Sequence, residues 1–186
     1  VKMTQKKERY RRNLPHITPI GGLFFVTFCT QDSIPKHKFI RQLNQPFLDS
    51  FAKYDYLIDR LQSQVQLTEN SISTIILEEL HNQNGLEYEL LYYCIMPNHI
   101  HLAFDTNMSS PKSLASIMQG VKGRTSLKIN KYLDQSGSFW QSESYDHLIN
   151  TDLELSNIGS YILHNPVKAE LIDDWQQWPL SYFKGK

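Results

Sequence analysis

Two imidazoles one residue apart, His99-Ile100-His101, open the run HIHLAFDT. In an extended strand alternate side chains share a face, so His99, His101 and Ala103 point one way and Ile100, Leu102 and Phe104 the other. The apolar set belongs to a helix-covered core. The histidines then project from the opposite face, where two imidazoles at this spacing can chelate one divalent ion. Taken alone, His-x-His also fits a pair of surface or packing histidines. Tyr161 and Asn165 add to it, since one helical turn puts a phenol and an amide carbonyl on the same face. Such a face suits phosphate-directed chemistry, with the phenol as nucleophile and the amide oxygen as a third metal ligand. A free tyrosine has a pKa of about 10, so roughly one in a thousand is ionised at neutral pH. A metal and cationic side chains must lower that barrier, while the ion polarises the phosphate. Without these neighbours, Tyr161 would read as an ordinary tyrosine of an amphipathic helix.

These residues need a scaffold. Leu23 to Thr30 (LFFVTFCT) is dense in aromatic and β-branched residues and reads as a buried strand, preceded by a basic arm over residues 1–22 that Gly21-Gly22 close. Residues 31–42 carry Pro35 and charges without a period and read as a loop. Pro46 suits a first helical turn, and Phe47, Phe51, Tyr54, Leu57, Ile58 and Leu61 follow at three- and four-residue steps, predicting a helix with one apolar face. Ile72, Ile75, Ile76 and Leu80 predict a second helix from Ser71 to Asn84, ended by Gly85. Leu86 to Met96 and His99 to Thr106 are expected as an antiparallel pair, with Pro97-Asn98 as the bend between them. Ser110-Pro111 should open a basic amphipathic helix running to Leu133, weakened by Gly120 and Gly123. Gln135 to Gly137 is a loop and Phe139 to Asn150 is partly extended. Thr151 with Glu154 has the form of a capping box for a last helix, which Asn165-Pro166 should end. This order of elements predicts an α+β sandwich, with helices packed on an antiparallel sheet.

At 186 residues with 40% hydrophobic content, the chain can bury one core without disulfides or structural metals, and a single domain over residues 1–186 is expected. Cys29 and Cys94 lie in apolar runs, as free thiols do in a reducing compartment. No apolar stretch approaches bilayer-spanning length and no signal-like segment follows the basic N-terminus, so a soluble, cytoplasmic protein without a membrane partner is expected. Nineteen Lys and Arg balance nineteen Asp and Glu, which by itself argues against a nucleic-acid partner. Their distribution points the other way. Lys2, Lys6, Lys7, Arg9, Arg11 and Arg12 crowd the arm against Glu8 alone, while Lys112, Lys122, Arg124, Lys128 and Lys131 run with no acid among them. Such asymmetry can focus a polyanion onto one surface, with Tyr132 placed to stack a base. A solvated helix face and a frayed terminus fit the same charges. If about five of these cations met phosphates of a single strand, the log–log salt slope would be near −3.5.

Met96-Pro97-Asn98-His99-Ile100-His101-Leu102, together with Tyr161-Ile162-Leu163-His164-Asn165-Pro166-Val167-Lys168, resembles the single-tyrosine HUH transposases and, more narrowly, the REP-associated tyrosine transposases of bacteria. The likeness extends to Tyr10-Arg11-Arg12, Phe25-Val26-Thr27-Phe28, Phe139-Trp140-Gln141, Tyr145-Asp146-His147, Trp178-Pro179 and Ser181-Tyr182, and so spans nearly the whole chain. It implies a ferredoxin-like sheet with helices on one face, and cleavage of single-stranded DNA next to hairpins. Carried onto this chain, His99 and His101 would be the metal pair, Tyr161 the nucleophile forming a 5′-phosphotyrosine link, and Asn165 a third ligand, with Mg²⁺ or Mn²⁺ as the ion. A homodimer is implied as well, the tyrosine helix serving its own chain or its partner's. Two departures stand out. Asn150 replaces an arginine usual in the family, and residues 31–70 are longer than in compact members, which predicts extra helix in the first crossover. His147 is expected to pack beside Trp140 or to support the site from behind, and Arg11 and Arg12 could grip a hairpin stem. A non-cutting DNA or RNA hairpin-binding module would keep the fold and drop the chemistry. A small metal-dependent hydrolase would need a further set of His and Asp ligands.

Overall fold

In the computed structural model, which describes residues 7–11, 15–33, 55–61, 63–109 and 111–185, the strands expected after Gly22 form and are joined by a short one near the end of the chain that was not expected. They are β3 (Leu23–Cys29), β4 (Glu89–Ile95), β5 (His99–Asp105), β6 (Tyr145–Ile149) and a short β7 (Ser181–Phe183). The sheet order is β6-β3-β5-β4-β7, with every neighbour antiparallel. Helix α1 (Asn70–Asn82) lies in the crossover from β3 to β4, and α2 (Leu114–Tyr132) in that from β5 to β6. Without the edge strand β7, this is the βαββαβ order of a ferredoxin-like sheet. Ahead of it, β1 (Lys7–Arg11) and β2 (Pro15–Pro19) pair as a separate ribbon with Tyr10 opposite His16, so part of the expected arm is a hairpin.

The two faces of the sheet bury different residues. Phe24, Val26 and Phe28 of β3 with Ile100, Leu102 and Phe104 of β5 pack against Ile72, Ile76 and Leu80 of α1 and Ile117, Val121 and Ile129 of α2. That is the expected arrangement of helices on one face. On the other face Phe25, Cys29, Cys94 and Ala103 meet Ile58 and two residues of the last helix, α3 (Asp152–Lys168), namely Ile158 and Ile162. The segment predicted from Pro46 is described only from residue 55, and residues 55–59 are helical. No helix among the described residues is long and apolar enough to cross a membrane.

Three boundaries differ from expectation for identifiable reasons. The first helix ends at Asn82, and Gly85, at φ +79°, makes the turn beyond it. Helix α2 starts at Leu114 because Ser113 caps it, its side chain accepting from the Ser116 N–H; Ser110 lies outside the described residues. Helix α3 does not stop at Asn165-Pro166 but continues to Lys168. Pro166 forfeits one bond in the final turn, where the loss is smallest. The Ala169 N–H still donates to the Asn165 carbonyl, and Leu171 closes the helix end with a longer-range bond to the Pro166 carbonyl, with Glu170 at φ +58°.

Gly159 sets how closely α3 approaches β4. A Cβ there would lie 2.5 Å from the ring of Tyr92. Gly159→Val is therefore expected to lift the helix, displace Tyr161 two residues on, and cost about 1–3 kcal/mol. A urea midpoint equal to that of the unaltered chain would contradict this.

Candidate active site

The register of β3 with β5 puts His99 opposite Cys29 and His101 opposite Thr27. Both rings leave the α1–α2 core as the alternation requires, yet both are 0% exposed. Asp55 lies against them, and Tyr161 of α3 meets His101 edge-on at 5.9 Å between centroids. The bend residue Asn98 fixes one ring. Its Nδ2 donates to the carbonyls of Ile58 at 2.9 Å and Leu61 at 2.5 Å, so its Oδ1 is the atom 2.7 Å from His99 Nδ1. His99 must then carry its proton on Nδ1 and a lone pair on Nε2. Thr27 Oγ1 holds His101 Nδ1 at 2.7 Å, and the two Nε2 atoms lie 2.9 Å apart. Two adjacent ligands with bonds of about 2.1 Å to one ion stand about 3 Å apart. Burial, aided by repulsion from His101, brings His99 down to about 3 against the pull of Asp55, keeping it in the neutral, metal-binding form.

Asp55 completes the cluster. It is fully buried, with Oδ1 3.2 Å from His101 Nε2 and 3.8 Å from His99 Nε2. Its Oδ2 accepts from the Tyr161 hydroxyl, from Asn165 Nδ2 at 2.9 Å and from Lys168 Nζ at 2.9 Å. Burial pushes the carboxyl up, but His101, His99 and Lys168 outweigh it and hold Asp55 well below the usual carboxylate range. Asp59, one turn further on, lies 3.8 Å from His99 Nε2 and is raised to about 6 by burial and by the charge of Asp55. Among the described residues Asp55 Oδ1, Asp59 Oδ1 and Asn165 Oδ1 are buried without a hydrogen-bond donor. Orphaned acceptors beside an imidazole lone pair are costly unless a cation satisfies them. Asp55, His99 and His101 each offer a ligand atom within 4.8 Å of the others, so the residues fit a small divalent ion.

His99, His101, Tyr161 and Asn165, singled out by their types and spacing, come together within one chain. Asp55 is not among those four. The available signal was a carboxylate three residues before Ile58, inside an apolar stripe, which a count of apolar residues alone skips. Asn165 was sought as the third ligand. Its amide nitrogen bonds Asp55, and its oxygen stays unpartnered in the same buried space.

Helix α3 is held at its start by the expected cap. Thr151 Oγ1 accepts from the Glu154 N–H at 3.1 Å, while Glu154 Oε2 accepts from the N–H of Asn150 at 2.7 Å rather than from that of Thr151. The other Glu154 oxygen lies 2.6 Å from His147 Nε2, so His147 ties β6 to the helix that carries Tyr161. The side chain of Asn150 bonds the Leu148 carbonyl at 3.0 Å.

The basic stretch is divided rather than presented as one face. Arg124 Nε lies 2.5 Å from Glu79 Oε1, Lys128 3.8 Å from the other Glu79 oxygen, and Lys112 2.5 Å from Glu87. Lys122 donates instead to the carbonyls of Gln141 at 2.9 Å and Glu143 at 3.3 Å. Lys131 is exposed, and the Tyr132 hydroxyl donates to Glu69 at 2.9 Å. Hairpin DNA should thus meet fewer than five free cations here, and anisotropy titrations should give a slope shallower than about −3.5. Arg124→Ala would leave the buried Glu79 only its longer contact with Lys128 and should cost about 1–2 kcal/mol in a denaturant melt; an unchanged midpoint would contradict the pairing. Arg11 lies in β1, but its side chain and all of Arg12 are outside the described residues.

A ferredoxin-like sheet that carries a histidine pair and a carboxylate under a tyrosine-bearing helix defines an α+β protein with a metal-type site and a phenol at its edge. The chain belongs to the IS200-like transposase family, whose model matches residues 60–165, a span that holds His99, His101, Tyr161 and Asn165 but not Asp55. A curated REP-associated tyrosine transposase of Haemophilus influenzae is 29% identical over 104 residues, covering 52% of this chain and 59% of the relative. The chain therefore spans about three fifths of that relative's length. The fold is shared with a REP-associated tyrosine transposase bound to a REP hairpin, at a TM-score of 0.62 and 16% identity, over 94% of this chain and 81% of the other.

Proposed function

We propose that this transposase-family chain is a DNA transesterase, in which Tyr161 attacks a phosphodiester of single-stranded DNA beside a hairpin and the 3′-hydroxyl leaves. The product is a 5′-phosphotyrosine link. It retains the energy of the broken bond, so a later 3′-hydroxyl can rejoin the strand without a nucleotide cofactor. The observation that carries this reading is the convergence on one buried carboxylate: Asp55 Oδ1 faces the histidine pair while Oδ2 accepts from the Tyr161 hydroxyl. His99, His101 and Asp55 would hold Mg²⁺ or Mn²⁺, with the Asn165 oxygen at hand, and the ion would supply electrophilic activation of the phosphate. Asp55 orients the hydroxyl, and Asn98 and Thr27 orient the imidazoles.

The partner in this reading is hairpin DNA of the REP type, met by Arg11, Arg12, Lys131 and those paired cations of α2 that phosphate can draw away from Glu79 and Glu87. A homodimer belongs to the proposal as two copies of a site each chain completes by itself. The single-domain organisation and a cytoplasmic setting belong to it too, the latter supported by the burial of Cys29 and Cys94 in the apolar interior. The test is incubation with labelled hairpin oligonucleotides and Mg²⁺ or Mn²⁺, followed by denaturing electrophoresis. A shifted protein band that carries the label is expected; binding without an adduct on every hairpin tried would favour the non-cutting module.

A further inference from the structure

Lys168 lies two turns after Tyr161 on the same side of α3, as the last residue of the helix. Its Nζ is 2.9 Å from Asp55 Oδ2, 3.3 Å from the Tyr161 hydroxyl oxygen and 5.1 Å from the centroid of that ring. The side chain is 40% exposed, so the ammonium sits where the buried carboxylate ends and solvent begins. We propose that Lys168 is a catalytic residue, the cation that stabilises charge on the Tyr161 oxygen as it attacks. The inference rests on the transesterase reading given above.

Charge sets what the nucleophile needs. An ionised Asp55 touching the nucleophile repels a second negative charge growing on the phenol oxygen. His99 and His101 stand on the far side of Asp55, at its Oδ1, whereas Lys168 touches Oδ2 and the phenol together. Lys168 is the cationic side chain that touches both oxygens among the described residues, so it offsets that repulsion where it arises, and a partly buried site screens it less than water would. In the step itself, the phenolic proton leaves to solvent at the exposed edge where Lys168 lies, and Asp55 stays ionised. The phenol oxygen then forms its bond to phosphorus, the bond from phosphorus to the 3′-oxygen breaks, and that oxygen takes a proton from water. A lysine that served only to dock α3 would make the same ion pair, so the test must separate the two roles.

The experiment is single-turnover adduct formation on a labelled hairpin with Mn²⁺, comparing the unaltered chain, Lys168→Met and Lys168→Arg, each also carrying 3-fluorotyrosine in place of tyrosine. Hairpin affinity and Mn²⁺ affinity are measured alongside. Lys168→Met is expected to slow the adduct about 10- to 100-fold with both affinities within threefold, a loss corresponding to one to two decades of transition-state stabilisation. Lys168→Arg should stay within about tenfold of the unaltered chain, since it keeps the charge. The more acidic fluorotyrosine needs less help and should recover Lys168→Met more than it speeds the unaltered chain. An unaltered rate in Lys168→Met overturns the inference, and so does a slow variant that fluorotyrosine does not recover. If Lys168→Met fails to fold, Lys168→Arg decides: a loss beyond 100-fold with DNA and Mn²⁺ still bound overturns it. No adduct from the unaltered chain removes the transesterase reading, and this inference with it.

Discussion

Tyr161→Phe forms no covalent adduct with hairpin DNA, a fall of at least about a thousandfold, while its affinity for the same hairpin stays within about twofold. The expectation follows from how little else the substitution changes. The ring keeps its edge contacts with His101 at 5.9 Å and with Phe25 at 6.5 Å, and Asp55 Oδ2 keeps its bonds from Asn165 and Lys168. The fold loses a single hydroxyl from a carboxylate that retains two donors, a cost of about 1 kcal/mol. No other hydroxyl bonds Asp55 among the described residues, so no neighbour can take over the attack. Denaturing electrophoresis checks the adduct and anisotropy the binding. Robust cleavage by the phenylalanine variant would sink the tyrosine mechanism.

Asp55→Asn is expected to lower Mn²⁺ affinity at least 100-fold by titration calorimetry, with His99→Ala as a second loss of similar size. The amide keeps the shape of the carboxylate but neither its charge nor its second acceptor. Near His101 Nε2, at 3.2 Å, an anionic ligand would be replaced by a neutral one or by an N–H that repels the ion. Loss of supporting contacts around metal ligands usually costs 10–100-fold, and loss of a ligand should exceed that. Asn165→Ala separates the two candidates for the third position. If it abolishes Mn²⁺ binding while Asp55→Asn stays within threefold, the sequence-based choice of Asn165 stands and the buried carboxylate has another use.

The contrast between Asn165 and Asp55 shows what kind of information a sequence carries. Patterns confined to one element were readable: the alternation that separates His99 and His101 from Ile100 and Leu102, the Thr151 cap, and the one-turn spacing of Tyr161 and Asn165. Contacts made across space were not. Glu79 neutralises Arg124 from another helix, so an acid-free run in the chain is not an acid-free surface in the fold. Asp55 meets Tyr161 across 106 residues, and no local period announces it. Pro166 failed as a stop for a different reason, because in the last turn its missing N–H costs one bond and its ring is buried against the body. The β-ribbon of Lys7–Arg11 with Pro15–Pro19 was hidden by the basic side chains that suggested an arm.

The most direct measurement is the identity of the amino acid that carries DNA. The chain is reacted with hairpin oligonucleotide and Mn²⁺, denatured, digested with nuclease and protease, and the nucleotide-bearing peptide is sequenced by mass spectrometry, with a parallel reaction in chelator. One modified peptide is expected, bearing a nucleotide 5′-phosphate on Tyr161, and none in chelator. A nucleotide on any other residue, or the same yield without metal, would contradict it.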